Sequence, residues 1–290
     1  PSDRQGYYGV DWSTTKGFAN YQAGFLTVQK RTGHGLMLSG NLTWSHSLDT
    51  DGINQEYVTD SPNNVYNLRS DYAPSPWDRR WVANIVARYD LPFGKGKYFT
   101  TSNGVLDRVI GGWSIAPVIS INTGKPIESY TGSCDEYGTG AYMPWCAGAA
   151  PMASTGTFGH SAHLGVKTDG TVGVNNDPAY TSGAPGANMF SSPTAVYNSY
   201  RPVVLGVDTR TYDSGPFYGL SRWNVDMTIE KDTKVSERIG VQFFAQMLNA
   251  FNHMEYGDPG MNLQDPYDFG TLTGQYNSPR LIELGLRFRF

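Results

Sequence analysis

The residues that could carry out chemistry are few, and they do not stand at the spacings that known chemistries require. His160 and His163 lie in a Gly/Ser-rich stretch with no cysteine or carboxylate beside them. This setting favours a solvated loop over a metal site. Asp49 and Asp51 begin like a calcium-binding loop, but Ile53 stands where the next oxygen ligand is required. A solvated turn is therefore the better interpretation.

Other signatures of enzymes and of nucleic-acid binding are also missing from the sequence. The 290 residues contain neither a Gly-x-Ser-x-Gly nucleophile elbow nor a phosphate-binding glycine loop. The net charge of −4 supplies no basic field that would attract nucleic acid. We therefore expect no catalytic residues, no metal, no cofactor and no nucleic-acid partner.

The two cysteines, Cys134 and Cys146, lie close together in a Gly-rich stretch. A disulfide that closes this short loop is consistent with an oxidising compartment such as the periplasm or the cell surface. Two unrelated loop thiols are the alternative interpretation.

The composition is typical of many short strands joined by turns. Aromatic residues make up 13% of the chain and charged residues 17%, with 34 Gly and 17 Pro. The mean hydropathy is −0.42, and no run of about 18 apolar residues exists, which excludes a helical bundle in lipid. A membrane barrel is not excluded, because its strands alternate lipid-facing and lumen-facing residues.

A period-two alternation marks the end of the chain and recurs in six other segments. In 281–290, apolar residues from Ile282 to Phe290 alternate with Glu283, Gly285, Arg287 and Arg289. The other segments are 18–30, 36–46, 80–91, 112–122, 222–231 and 238–251. Most approach the 9 to 11 residues that a tilted strand needs to cross a bilayer. We predict an all-β fold, the antiparallel portion of a transmembrane β-barrel with about seven strands.

Short and long connections between these segments alternate along the chain. The shorter links are 32–35, 92–110 and 232–237, and the long loops that follow them are 47–79, 124–221 and 252–280. Compact periplasmic turns and large extracellular loops are typical of outer-membrane barrels. We therefore expect the long loops outside the cell, a large and partly ordered or mobile loop at 124–221, and a periplasmic C-terminus.

The alternation also assigns side chains to faces and to ends. Charges facing lipid are costly, so the lumen-facing set is predicted to be Arg80, Arg88, Asp226, Glu230, Glu283, Arg287 and Arg289. Salt bridges across the wall or to a plug are the favoured role for them, and contact with a substrate is the alternative. Two aromatic girdles are predicted: Trp44, Trp81, Trp223 and Phe251 outside, and Tyr89, Trp113, Phe288 and Phe290 at the periplasmic boundary. Any one of these aromatics could instead be an ordinary core residue.

Several short motifs resemble those of one family. They are Lys30 and Arg31 before the His34–Gly35 turn; Thr43, Trp44 and Ser45; Asp78, Arg79 and Arg80; Leu91, Pro92, Phe93 and Gly94; Gly111, Gly112 and Trp113; Asn122, Thr123 and Gly124; and Asn249, Ala250, Phe251, Asn252 and His253. Together they resemble the C-terminal barrel portion of Oar-like TonB-dependent transporters. Phe288 and Phe290 are similar to the terminal signal read by the barrel-assembly machinery. The loop at 124–221 lies outside the resemblance.

The resemblance implies uptake of a solute, driven by TonB through a plug domain. No plug domain or TonB box is recognisable in 1–290, and seven strands cannot enclose the lumen of a 22-stranded transporter. We therefore expect the chain to be the C-terminal part of a longer polypeptide, or to complete a barrel with further chains. The first alternative is a surface structural or interaction protein that uses the barrel as an anchor and the 124–221 loop for binding. The second alternative is a soluble β-sandwich.

Overall fold

The computed structural model describes residues 15–33, 35–50, 67–130, 149–151, 187–202, 207–208, 214–236, 239–263, 265–272 and 274–290. Over these residues the strands are β1 (Ala19–Gly33), β2 (Leu36–Asp49), β3 (Ala73–Pro74), β4 (Trp81–Asp90), β5 (Trp113–Asn122), β6 (Pro126–Tyr130), β7 (Ala149–Pro151), β8 (Ala187–Asn188), β9 (Tyr200–Pro202), β10 (Ser214–Tyr218), β11 (Arg222–Lys234), β12 (Gly240–Leu248), β13 (Met261–Asn262), β14 (Thr271–Leu272) and β15 (Leu281–Arg289). The helices are a 3-10 turn (Leu68–Ser70), α1 (Gly104–Ile110) and α2 (Pro193–Tyr197). Within these ranges, no helix has both the length and the apolar character needed to cross a membrane.

The long strands form one antiparallel sheet in the order β1, β2, β4, β5, β11, β12, β15, with the short β3 paired to β2. These seven strands coincide with the seven segments predicted from the alternation, and their bounds move by only a few residues. The all-β, antiparallel prediction is confirmed. The sheet is open: among the described residues, no strand pairs with the outer edge of β1 or of β15.

The register aligns like residues across neighbouring strands. Asn41 lies opposite Asn84, Asn84 opposite Ser120, and Ser120 opposite Asn224, which makes one polar row across four strands. The residues before and after each of these belong to the other side, because side chains alternate across a strand. One face of the sheet, here the apolar face, therefore carries Trp44, Trp81, Ile85, Ile119, Ile229, Ala245 and Leu284. The opposite side is the polar face.

The shorter links depend on backbone conformations that glycine adopts easily. Gly112, just before β5, has a φ of 74°, and a Cβ there would collide with the carbonyl oxygen of Asp232 on β11. A residue with a side chain would therefore meet both torsional strain and a steric clash. The preceding residues are not a plain turn, because the 92–110 link contains helix α1.

Parts of two of the three long loops fold together at the end of the sheet opposite the shorter links. β6 pairs with β10 and β13, and β8 pairs with β14. Between them lies a small core of apolar side chains, all buried: Ile127, Ala187, Met189, Phe190, Val196, Phe217, Met261, Leu263, Phe269 and Leu272. We call this unit the loop cap. It contains residues from the 124–221 and 252–280 loops. The alternation pattern does not predict that these two loops pack together.

Candidate functional site

The polar face carries a connected set of charged side chains at the end with the shorter links. Arg88 Nη1 on β4 lies 2.8 Å from Glu230 Oε2 on β11. Its Nη2 donates to Ser114 Oγ, on the intervening strand β5, at 2.9 Å. Arg88 Nε also lies 3.5 Å from Asp90 Oδ1. Arg88 therefore links three strands and is shared by two carboxylates.

Gln242 and Arg289 extend this set to the last strand of the sheet. Gln242 Nε2 lies 3.5 Å from both Glu230 Oε2 and Asp232 Oδ2. Arg289 Nη2 donates to Gln242 Oε1 at 3.0 Å and lies 3.5 Å from Asp232 Oδ1. We call Arg88, Ser114, Glu230, Gln242, Asp232 and Arg289 the polar ladder. It crosses five strands from β4 to β15.

Each cation of the polar ladder lies beside a carboxylate, Arg88 beside Glu230 and Arg289 beside Asp232, so its charges are neutralised locally. The side chains of Arg88 and Glu230 keep 38% and 21% of their exposure, and water therefore reaches them. Ion pairs in this setting contribute up to about 1 kcal/mol each. The arrangement is suited to a hydrated wall, because water reaches these paired charges, whereas charges that face lipid are costly.

The structure brings together three of the seven predicted lumen-facing charges, namely Arg88, Glu230 and Arg289. Asp226 instead accepts hydrogen bonds from the backbone N–H of Asn249 at 2.9 Å and from Asn224 Nδ2 at 2.8 Å. Arg80 lies near the loop cap, with its Nε 3.1 Å from Asp78 Oδ2. Glu283 lies opposite Gln246, and Arg287 lies opposite Gln242. Neither of these two makes an ion pair with a residue that the structure describes.

The predicted girdle aromatics lie at the two ends of the sheet. Trp44 and Trp81 are direct cross-strand neighbours at the loop-cap end. Trp223 lies at the same end, with its ring centroid 6.1 Å from that of Phe251. The opposite end carries Tyr89, Trp113, Phe288 and Phe290. By alternation all but Phe251 and Phe290, which lie beyond strand ends, belong to the apolar face. Their membrane role stays a prediction.

Asn249 holds the turn after β12, and its role appears only in the structure. It has a φ of 49°, a conformation that asparagine tolerates better than most residues. Its Nδ2 donates to the carbonyls of His253 and Ser278 at 2.8 and 3.1 Å, and its Oδ1 accepts from His253 N at 2.8 Å. The sequence shows the motif from Asn249 to His253 only as a resemblance. In the structure, its hydrogen bonds join the end of β12 to the segment just before β15.

Arg222, at the start of β11, connects the sheet to the loop cap. Its Nη2 lies 3.0 Å from Asp258 Oδ1, and its guanidinium sits 3.8 Å from the centroid of the Tyr276 ring. Arg222 is buried, whereas Asp258 and Tyr276 stay in contact with water. Sequence reasoning missed this residue, because its partners come from a distant loop and no local pattern marks it.

Within the loop cap, Tyr197 donates its hydroxyl to the Leu263 carbonyl at 2.7 Å. Burial raises the pKa of Tyr197, and the negative charge of Asp265 raises it further. Across the ranges that the structure describes, no three His, Cys, Asp or Glu residues are grouped so as to hold a metal. Cys134, Cys146, His160 and His163 lie outside the described residues, so the disulfide stays a prediction.

The antiparallel sheet agrees with the family that the sequence matches. A family model described as an outer membrane beta barrel domain matches residues 2–283. No curated protein matches the chain, and no solved structure matches it. The family match covers nearly the whole sequence, and it places the protein in the bacterial outer membrane. The chain belongs to the family of outer-membrane β-barrel domains.

Proposed function

We propose that the chain supplies the C-terminal strands and outer loops of a TonB-dependent transporter that imports a solute. The observation that carries the proposal is the sheet of seven long strands, whose two outer edges are unpaired among the described residues. In lipid, the unpaired backbone groups of β1 and β15 would each cost free energy, so further strands must pair with them. Barrels with many more than eight strands enclose a water-filled or plugged lumen. A wide barrel is what uptake of a large solute requires.

The polar ladder supports the same proposal. Its wall of paired charges is suited to contact water or the polar surface of a plug domain, and it would be costly against lipid. The apolar face, in turn, is suited to lipid contact. Paired charges such as Arg88 and Glu230 can hold the wall in shape without binding the solute tightly.

The proposal assigns an orientation and partners. The loop cap lies outside the cell and the C-terminus lies in the periplasm, because long loops of such barrels are extracellular. Outer-membrane lipid contacts the apolar face. The barrel-assembly machinery recognises the end of β15 through Phe288 and Phe290, and the TonB system acts through a plug domain outside this chain. No enzymatic activity is proposed.

Intact mass and TonB contact together test this proposal. The native protein would be extracted from outer membranes in detergent after in vivo cross-linking, and its mass would be compared with 31.9 kDa. We expect a much heavier polypeptide that contains these residues and cross-links to TonB. A polypeptide near 31.9 kDa without a TonB cross-link would contradict transport.

The loop cap favours a second candidate function, which is surface binding. Mobile connecting loops do not need a hydrophobic core, yet Met189, Phe190 and Phe269 are almost completely buried. A packed core holds the surface above it in one shape, as recognition of a partner requires. In this candidate function the barrel is an anchor.

Deletion of the tonB gene separates the two candidate functions. Import driven by TonB would stop in the deletion strain, whereas binding of a partner to intact cells through the loop cap would continue. A protein whose removal alters adhesion equally in both strains, without any change in uptake, would be a surface-binding protein.

A further inference from the structure

The link between β4 and β5 carries an apolar surface at the end of the sheet opposite the loop cap. Helix α1 has no buried residue. Val105 and Val109 are 73% and 60% exposed, and Leu106 is also exposed. A helix of seven residues is too short to be stable alone. Its neighbours and whatever covers its apolar side must therefore hold it.

An aromatic cluster lies in the same link. The rings of Phe93 and Phe99 stack with centroids 5.3 Å apart, and Tyr98 meets Phe99 edge-on at 4.9 Å. Tyr98 is 86% exposed. Aromatic rings that are exposed beside apolar residues are suited to the boundary between lipid headgroups and acyl chains.

Two side chains of the apolar face hold the C-terminal end of α1. Trp113 Nε1 donates to the Val109 carbonyl at 3.0 Å. Lys231 Nζ donates to the same carbonyl at 3.1 Å and to the carbonyl of Gly111. Trp113 and Lys231 are direct cross-strand neighbours, so α1 ends on the apolar face of the sheet, the face that is suited to lipid contact in a membrane barrel. A cation there would be costly if its donors were unpaired, and the helix carbonyls satisfy it.

The charges around α1 complement a phosphate-bearing surface. Lys95, Lys97, Arg108 and Lys234 line an open cavity of about 800 Å³ beside the helix. Asp107 and Asp232 also line it, and both already have partners. Asp107 accepts a hydrogen bond from the Lys95 backbone N–H, and Asp232 lies 3.5 Å from Arg289 Nη2 in the polar ladder. Cations beside an apolar helix are the pattern of a segment that lies in the plane of a phospholipid surface.

We propose that α1 and the Phe93–Phe99 aromatic cluster form an interfacial anchor that binds phospholipid. The anchor lies at the headgroup–acyl boundary of the leaflet on the short-link side. Its partner is phospholipid, because the apolar surface of α1 continues the lipid-contacting face of the sheet and the nearby cations match the headgroup phosphate. The anchor also explains why this link is longer than the other two short links. Binding of phospholipid by the anchor does not depend on TonB.

Depth-dependent quenching tests the anchor in the complete native polypeptide. A coumarin-bearing amino acid would replace Val105 in one sample and Ser236, in the exposed β11–β12 turn at the same end, in the matched control. Both proteins would be placed in phosphatidylethanolamine/phosphatidylglycerol vesicles that contain a phospholipid with a nitroxide high on its acyl chain. A heat-modifiable band on gels would show that each has folded.

We expect quenching about threefold greater at position 105 than at position 236, because an interfacial helix buries its apolar side below the headgroups. Equal quenching by the lipid at the two positions would overturn the proposal. Strong quenching at 105 by water-soluble iodide, or quenching there by neither agent, would overturn it too. The last result would mean that protein covers the helix.

A variant of the holding residue adds an independent measurement. Lys231→Met keeps the length of the side chain and removes its hydrogen bonds to the α1 carbonyls. We expect the probe at 105 to lose about half of its lipid quenching, since the Val109 carbonyl then keeps its hydrogen bond from Trp113 but loses the one from Lys231. Unchanged quenching in a folded Lys231→Met protein would overturn the assigned role of Lys231.

Discussion

Arg88 on β4 and Glu230 on β11 form a 2.8 Å ion pair across the strand that lies between them. The pair bridges β5 through Ser114, which also receives a hydrogen bond from Arg88. Residues that are 142 apart in sequence therefore meet on one face of the sheet. This contact ties the early strands of the sheet to the late ones.

Loss of the Glu230 charge should weaken the sheet modestly. Glu230→Gln removes the Coulombic attraction to Arg88 in a partly hydrated site, so we expect a loss of about 0.5–1 kcal/mol. Urea unfolding of the complete protein in bilayers or detergent measures it. Glu283→Gln is the matched control on the same face, because Glu283 makes no ion pair among the described residues, and it should leave stability unchanged. Equal losses in both variants would argue against the polar ladder.

Truncation of a buried side chain in its core should unfold the loop cap and leave the sheet folded. Phe190 and Phe269 are about 1% and 0% exposed, and their ring centroids lie 6.0 Å apart. Phe269→Ala should cost about 3–5 kcal/mol, because it leaves a cavity in a small core. We expect the loops to become protease-sensitive on intact cells while the barrel stays heat-modifiable. Tyr267→Ala, at an exposed neighbouring position, should cost far less; similar sensitivity would contradict a packed core.

The stability of the loop cap should depend on the protonation of Tyr197. Its folded pKa is raised by burial, and its hydroxyl hydrogen bond to Leu263 is made by the protonated form. The contribution is therefore fully present below the unfolded pKa of about 10. It is lost as the pH rises through the raised folded value.

Comparison with Tyr197→Phe isolates this effect from the other tyrosines. We expect the wild-type cap to be more stable by about 1 kcal/mol at pH 8, the usual worth of such a hydrogen bond. The advantage should shrink above pH 10. Proteolysis rates of the cap at pH values from 8 to 11 report it. An advantage that stays constant over this range would show that Tyr197 does not titrate in this way.

A side chain at Gly112 should disturb the junction between α1 and β5. Gly112→Ala meets the positive φ of this residue and the carbonyl of Asp232. The torsional strain alone costs about 1–2 kcal/mol, and the clash adds to it. Gly104→Ala is the control, because no atom lies within 4 Å of its Cβ and alanine favours a helix. We expect a lower yield of folded protein for Gly112→Ala only, as measured by heat modifiability.

The alternation predicted the seven strands because it is a local property. Every second residue must be apolar when one face of a strand contacts lipid and the other contacts water. Segments such as 281–290 show this alternation by themselves, whatever strands lie next to them. The number of strands, their antiparallel pairing across the short links and the separation of Trp81 from Arg88 onto opposite faces follow from this period and from the short links. The positions of aromatic residues near the ends of the strands could be predicted too, because they are also a local property of the sequence.

The tertiary structure alone decided which distant residues meet. The join between β5 and β11 across the long loop brings Ser114 next to Glu230, and no local pattern encodes that pairing. The loop cap depends on segments such as 187–190 and 261–272 packing together, and the Arg222–Tyr276 contact depends on their placement. Helix α1 was missed because seven residues carry too little periodicity. A short helix is selected by what it packs against, here Trp113 and Lys231, rather than by its own propensity.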